Sequence, residues 1–122
     1  MKRKPETIRR VGLVANTDKA TSQSSVRRAA ALITRSGRTV LADEGTTRFA
    51  GLHCDSPKTL AALARAVDLL VVFGGDGTML RVLREINGAR TPVVGINAGR
   101  LGFLTAVSPA QVPKALERLW AN

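Results

Sequence analysis

Short apolar runs alternate along the chain with stretches in which apolar residues recur every three or four positions. The runs predict four buried strands, at residues 11–15, 39–42, 69–73 and 92–96. The periodic stretches predict helices, and their expected buried faces are Val26/Ala29/Ala30/Ile33, Leu60/Leu63/Ala64/Val67, Met79/Val82/Leu83/Ile86 and Val112/Leu116/Leu119/Trp120. Strands that alternate with helices are typical of an α/β fold with an open, mostly parallel sheet and helices on both faces.

Glycine, proline and small polar residues mark where the predicted elements begin and end. Gly37 is expected to end the first helix, and Ser56 followed by Pro57 is expected to begin the second. Ser108 to Gln111 has the form of a capping box before the last helix. Residues 43–58 show no clean period, so we expect them to form a loop.

The composition limits the classes of partner. The chain has 122 residues, a single-domain length, and a formal net charge of +10. Part of that charge crowds the N-terminus and the rest is scattered, whereas a nucleic-acid interface needs a concentrated patch. Three Phe, one Trp and no Tyr are too few for a surface that stacks single-stranded bases. We therefore expect no nucleic-acid partner.

The single cysteine, Cys54, excludes an intramolecular disulfide and fits a reducing compartment. His53 lies beside it, but two adjacent ligands with no second pair nearby do not make a metal site. No apolar run approaches the ~20 residues that a membrane helix needs. We expect a cytoplasmic protein with no membrane partner.

One stretch carries the candidate chemistry, residues 71–80. An apolar strand runs into Gly74, Gly75 and Gly77, and a helical pattern starts straight afterwards, near Thr78. Glycines let backbone N–H groups approach an anion, and the helix adds the positive end of its dipole. Asp76 is the single acid of this turn. It could accept a proton from a hydroxyl or hold a metal, and the structural alternative is a helix N-cap.

Arg81 follows Asp76 by five residues, within the expected first turn of the helix. Its side chain could reach a ligand phosphate at the glycine turn, and the alternative is a solvated helix face.

Other nucleotide and hydrolase motifs do not fit. The chain has no P-loop, the glycine spacing is not that of the dinucleotide fingerprint, and no G-x-S-x-G nucleophile turn occurs.

Residues 74–78, Gly-Gly-Asp-Gly-Thr, resemble the signature of a kinase superfamily that includes NAD kinases, 6-phosphofructokinases, and diacylglycerol and sphingosine kinases. A second turn at residues 97–104 is similar to the NAD kinase motif N-x-G-x-L-G-F-L. The glycine-threonine-glycine-asparagine turn of the lipid kinases is missing. The resemblance covers nearly the whole chain and implies the N-terminal domain fold shared by NAD kinase and phosphofructokinase.

The resemblance also implies an activity, which is phosphorylation of the 2′-hydroxyl on the adenosine ribose of NAD to give NADP. The donor would be ATP or polyphosphate, with a divalent metal such as Mg²⁺, and the complete enzyme would be a homo-oligomer. The family's catalytic proton acceptor maps onto Asp76, and its NAD contacts map onto Asp76, Gly77 and Arg81. Gly74, Gly75 and Thr78 belong to the phosphate loop, and no residue is assigned as a metal ligand.

The chain departs from the family in length. NAD kinases carry a second, β-rich domain that contributes to NAD binding, and no such domain is present in residues 1–122. We therefore expect an N-terminal domain that is weakly active or inactive alone. Two alternatives stay open at this point: another kinase of the superfamily acting on a lipid or a sugar, and a non-catalytic α/β module that binds a nucleotide.

Overall fold

The computed structural model describes residues 8–86, 88–97 and 107–121. Its strands are β1 (Arg10–Ala15), β2 (Thr39–Ala42), β3 (Leu69–Gly74) and β4 (Val93–Asn97). Its α-helices are α1 (Ser22–Arg35), α2 (Glu44–Ala50), α3 (Leu60–Ala66), α4 (Asp76–Glu85) and α5 (Val112–Ala121), and a 3-10 turn at Pro109–Gln111 leads into α5. No helix within these described ranges is long and apolar enough to cross a membrane.

The four strands form one parallel sheet in the order β2-β1-β3-β4. Side chains alternate across β3: Leu69, Val71 and Phe73 face the core under α1, α2 and α5. Leu70 and Val72 face the core under α3 and α4. Helices therefore cover both faces of a parallel sheet, which confirms the predicted fold class. The buried continuous apolar runs are what such a two-sided cover requires.

Most predicted helix faces are confirmed. The four α1 positions are buried, and Gly37 follows that helix in a left-handed conformation with φ +86°. In α5, Val112 and Leu116 are buried, while Leu119 and Trp120 are half-buried against the same core. The capping box before α5 is also confirmed, since the backbone N–H of Ser108 donates to Oε1 of Gln111 over 2.9 Å.

The expected loop at residues 43–58 was wrong, because its first half is helix α2. Asp43 is the N-cap and accepts from the backbone N–H of Thr46, and Gly51 ends the helix with φ +65°. Within α2 only Thr46 and Ala50 are buried. A seven-residue helix with so little apolar surface shows no periodic stripe, so its capping residues were the only sequence signal.

Two further expectations about helices were wrong. Helix α3 begins after Thr59 rather than at Ser56, since the Thr59 hydroxyl accepts from the backbone N–H of Ala62 over 3.0 Å. Met79 and Val82 of α4 and its C-cap residue Ile86 are buried as predicted. Leu83 was expected in the core but is 41% exposed. It follows the buried Met79 by four positions and lies at the edge of the buried stripe, so helical spacing alone assigned one residue too many to that stripe.

A buried threonine links α2 to the strand that leads to the ligand edge of the sheet. The Thr46 hydroxyl accepts from the backbone N–H of Ala15 over 2.9 Å and donates to Oδ1 of Asp43 over 2.5 Å. Thr46→Val keeps the shape but leaves the Ala15 N–H buried without an acceptor. We expect the free energy of unfolding to fall by about 1–3 kcal/mol in denaturant titrations.

The neighbouring Thr47→Val is the matched control for this prediction. Thr47 pairs with the half-buried Ser56 hydroxyl over 2.7 Å, and that hydroxyl can bond to water when its partner is removed. Its substitution should cost less than that of Thr46. Equal losses in the two variants would show that the buried link to β1 contributes nothing particular.

Candidate functional site

The site lies at the carboxyl edge of the sheet, where three strands end together. Ala15 of β1 is in register with Phe73 of β3, and Gly74 of β3 is in register with Asn97 of β4. The strand order places β1 and β3 side by side while their following helices, α1 and α4, cover opposite faces. This is the topological switch point at which open α/β sheets bind their ligands.

The glycine turn is a direct passage from strand to helix. Gly74 is the last residue of β3, Gly75 is the N-cap in an extended conformation, and Asp76 is the first residue of α4. The first backbone bond of the helix runs from the N–H of Met79 to the carbonyl of Gly75 over 3.1 Å. The cap is therefore Gly75, and the structural alternative for Asp76 as an N-cap was wrong.

The three glycines of the turn serve different purposes. A Cβ on Gly74 would lie 2.8 Å from the Thr78 hydroxyl and 2.9 Å from the Thr78 Cβ, so the strand end has no room for a side chain. A Cβ on Gly75 or Gly77 would meet no atom within 4 Å. Gly74 is thus required by packing. Gly75 and Gly77 instead leave the backbone open, as an approaching anion needs.

Asp76 is half-buried at the N-terminus of α4, between the exposed residues Gly75 and Gly77. Backbone N–H groups in the first turn of a helix have no intrahelical acceptor, and the helix dipole makes the region positive. A carboxylate here can lie next to a bound phosphate and still accept a proton from a neighbouring hydroxyl. The structure thus brings the predicted residues Gly74 to Thr78 together at one edge.

Arg81 is placed differently from what the sequence indicated. It is the sixth residue of α4, in the second turn, and its guanidinium donates to the Glu85 carboxylate over 3.3 Å. Five positions along a helix rotate a side chain by about 140°, so Arg81 and Asp76 leave the helix on different sides. Both partners of the pair are 48% exposed, so the pair is worth little and is easily broken.

Asn97 is a residue of this edge that the sequence analysis placed in a motif without a role. It is 3% exposed, ends β4 beside Gly74, and its side-chain Nδ2 donates to the Val107 carbonyl over 3.1 Å. The amide therefore holds the end of β4 against the chain that returns before α5. The rest of the second turn, residues 98–104, lies outside the described residues.

The fold and the site define a parallel α/β domain with a glycine turn and one carboxylate at its switch point. The family described as ATP-NAD kinase N-terminal domain matches residues 11–122. The chain belongs to this family.

Individual relatives of this chain are NAD kinases as well. The chain is 38% identical over 108 residues to an NAD kinase of Teredinibacter turnerae and 44% identical over 113 residues to an NAD kinase of Heliobacterium modesticaldum. These alignments cover 88% and 92% of this chain but only 36% and 39% of the relatives. The chain thus spans less than two fifths of the length of the proteins it matches.

Solved structures give the same picture of the fold. An NAD kinase from Archaeoglobus fulgidus in complex with ATP aligns with a TM-score of 0.65 and 28% identity, over 89% of this chain and 36% of that one. Yeast NADH kinase complexed with NADH aligns with a TM-score of 0.80 over 93% of this chain and 38% of that one. At 16% identity, the second likeness concerns the fold alone.

Proposed function

We propose that this domain takes part in phosphorylating the 2′-hydroxyl on the adenosine ribose of NAD, which gives NADP. The observation that carries the proposal is the position of Asp76, the first residue of α4 at the switch point of the sheet, between two glycines that leave the backbone open. The proposed reaction is that of the family to which the chain belongs, and the position of Asp76 is suited to it. The 28%-identical NAD kinase crystallised with ATP supports a nucleotide as one ligand, and the relatives named NAD kinase support NAD as the other.

Asp76 is the proposed proton acceptor. A carboxylate within reach of the ribose hydroxyl takes its proton as the oxygen attacks the terminal phosphorus of the donor. Gly74, Gly75 and Thr78 shape the phosphate loop, and backbone N–H groups near Gly77 stabilise charge on the phosphates. Asp76, Gly77 and Arg81 are the proposed NAD contacts. Arg81 can leave Glu85 for a phosphate because an exposed pair of this kind contributes only ~0.3–0.5 kcal/mol.

ATP or polyphosphate is the proposed phosphoryl donor, with a divalent cation such as Mg²⁺. Within the described residues there is no group of three or more His, Cys, Asp or Glu side chains that could hold a metal ion. Mg²⁺ is commonly bound by one or two carboxylates together with substrate phosphates and water, so the phosphates of the donor would supply most of its ligands. When bound, the cation would neutralise charge on the transferred phosphoryl group.

The complete protein is proposed to be a cytoplasmic homo-oligomer, as its family resemblance implies. Because this chain matches less than two fifths of its relatives, we propose that it supplies one part of the active site. Alone it should be weakly active or inactive, since a phosphoryl transfer depends mostly on holding donor and acceptor in place.

The test compares two proteins in one assay. The first is the 122-residue chain, and the second is a chimera in which this chain replaces the matched portion of the Heliobacterium modesticaldum NAD kinase. NADP is measured with an NADP-specific dehydrogenase, with ATP, Mg²⁺ and NAD supplied. We expect steady NADP formation by the chimera and little or none by the chain alone.

Two results would contradict the proposal in different ways. A folded chimera that leaves NAD unmodified, or that phosphorylates diacylglycerol in a parallel assay, would refute the assigned reaction. NADP formation by the 122-residue chain at the rate of the chimera would refute only the claim that the site is shared with another domain. Circular dichroism of the chimera separates the first result from simple misfolding.

A further inference from the structure

Asn97 is a buried polar residue at a position where an apolar one would pack. Its side chain is 3% exposed, and it ends β4 in register with Gly74, the last residue of β3. An apolar side chain would fill this position more favourably, because a buried amide gives up its hydrogen bonds to water and must replace them. The amide therefore needs a reason beyond the packing of the sheet.

Two donors of Asn97 converge on one acceptor. Its backbone N–H donates to the Val107 carbonyl over 2.9 Å, and its side-chain Nδ2 donates to the same carbonyl over 3.1 Å. The N–H of Val107 donates in turn to the Gly95 carbonyl over 3.4 Å. These two backbone bonds already join β4 to the returning chain, so the side-chain bond is not needed for pairing. What the side-chain bond adds is a fixed direction for the amide.

The Asn97 side chain lies on the face of the sheet that α3 and α4 cover. Successive side chains of a strand point to opposite faces, and the preceding residue, Ile96, packs in the core under α1 and α5. Gly74 faces the same side as Asn97, since a Cβ on it would meet the side chain of Thr78 in α4. The amide thus lies beside Gly74 and next to the first turn of α4.

The two sides of the glycine turn are held in different ways. On the β1 side, the backbone N–H of Asn16 donates to the Phe73 carbonyl over 2.8 Å. On the β4 side, Gly74 is flanked by Asn97, the final residue of its strand. A strand end opens easily unless it is tied down, and the two donors of Asn97 tie this one. Asp76 follows Gly74 by two residues, so a movement of this edge would reach the carboxylate.

We infer that Asn97 is a positioning residue, whose anchored amide holds the glycine turn from the β4 side and keeps Asp76 in place for the reaction. This role rests on the proposed function. Asn97 acts through Gly74 and the first turn of α4, and not by contact with a ligand. A displacement of about 1 Å at a reacting group can cost 10²-fold in rate, so loss of the amide should lower kcat.

Asn97→Leu in the chimera described above tests this role. Leucine is of similar size, and the Val107 carbonyl stays paired because the backbone N–H of residue 97 still donates to it. The variant should therefore remain folded in denaturant titrations. We expect kcat for NADP formation to fall by about ten- to a hundredfold, while KM for NAD and KM for ATP change by less than about threefold.

Ile96→Val is the matched control, since Ile96 precedes Asn97 on β4 and its side chain lies on the opposite face. Loss of one methyl group from the core should lower the denaturant midpoint and leave kcat near the wild-type value. A merely structural role for Asn97 would make the two variants alike. Asn97→Ala also removes the amide, and it keeps the comparison valid if Asn97→Leu does not fold.

Hydrogen exchange in the 122-residue chain gives a readout that does not depend on activity. The N–H of Met79 forms the first backbone bond of α4, and the N–H of Ile86 forms a bond at the other end of the helix. Asn97→Leu should raise the exchange rate of Met79 on the order of tenfold relative to that of Ile86, because only the first turn loses its support. Ile96→Val should leave this ratio unchanged.

The outcomes separate the role of Asn97 from the assigned reaction. A wild-type kcat without the amide, in a chimera that forms NADP, overturns the positioning role and leaves the reaction intact. A raised KM for NAD with an unchanged kcat overturns it in favour of a direct ligand contact. If the wild-type chimera forms no NADP, the reaction is refuted, and the exchange ratio decides whether Asn97 supports the turn. An unchanged ratio overturns that support in either case.

Discussion

Asp76→Asn in the chimera is expected to lower the rate of NADP formation by about 10²- to 10⁴-fold, the range over which a positioned general base contributes. The amide keeps the size of the side chain and removes its ability to take a proton. Initial rates of NADP formation by the wild-type and variant chimeras, with ATP, Mg²⁺ and NAD at saturating concentrations, provide the readout.

Stability and charge controls make this prediction specific. An acid in the first turn of a helix contributes only about 0.3–1 kcal/mol, so Asp76→Asn should leave the chimera folded. Glu85→Gln removes the same charge from the exposed side of α4, away from the turn, and should keep nearly full activity. If Asp76→Asn retains a rate near that of the wild type, Asp76 is not the base, and a nucleotide-binding role for the turn is favoured.

Gly74→Ala is expected to disturb both stability and activity, because the added methyl group would lie 2.8–3.1 Å from three atoms of Thr78. Overpacking of this kind costs about 1–3 kcal/mol. The strand end or the first turn of α4 must move to relieve it, and Asp76 lies between the two contacting residues. A displacement of about 1 Å at a reacting group can cost 10²-fold in rate. Denaturant titration and the NADP assay measure the two losses separately.

Gly75→Ala is the matched control, since a Cβ there meets no protein atom within 4 Å and the backbone is extended. It should change stability far less than Gly74→Ala, and any loss of activity should come from weaker ligand binding. Adding Thr78→Gly to Gly74→Ala removes the contacting side chain and should restore Asp76 to its position, at the helix cost of one glycine. Because Thr78 belongs to the proposed phosphate loop, this rescue is measured by denaturant titration and not by activity. Failure to recover stability would show that Gly74 is needed for something other than room beside Thr78.

The elements that could be predicted are those with long apolar patterns. The strands at β1 and β3 and the stripe of α1 bury continuous or strictly periodic sets of residues, so the pattern specified them with little ambiguity. The apolar pattern did not predict helix α2, because this helix is stabilised by Asp43, Thr46 and a distant backbone N–H on β1. A hydrogen bond between residues 31 positions apart cannot be inferred from a local stretch of sequence. Leu83 was wrongly assigned to the core because helical spacing does not show how wide the buried stripe is.

The amino-acid sequence determined the candidate chemistry: a carboxylate, Asp76, inside a glycine turn between a buried strand and a helix. Only the tertiary structure decided how that turn is built. It made Gly75 the cap, packed Gly74 against Thr78, paired Arg81 with Glu85 on another side of the helix, and left Leu83 partly exposed. The physical reason is that side-chain direction and available space depend on the neighbouring strands and on the rotation of the helix, whereas residue order along the chain contains only the local pattern.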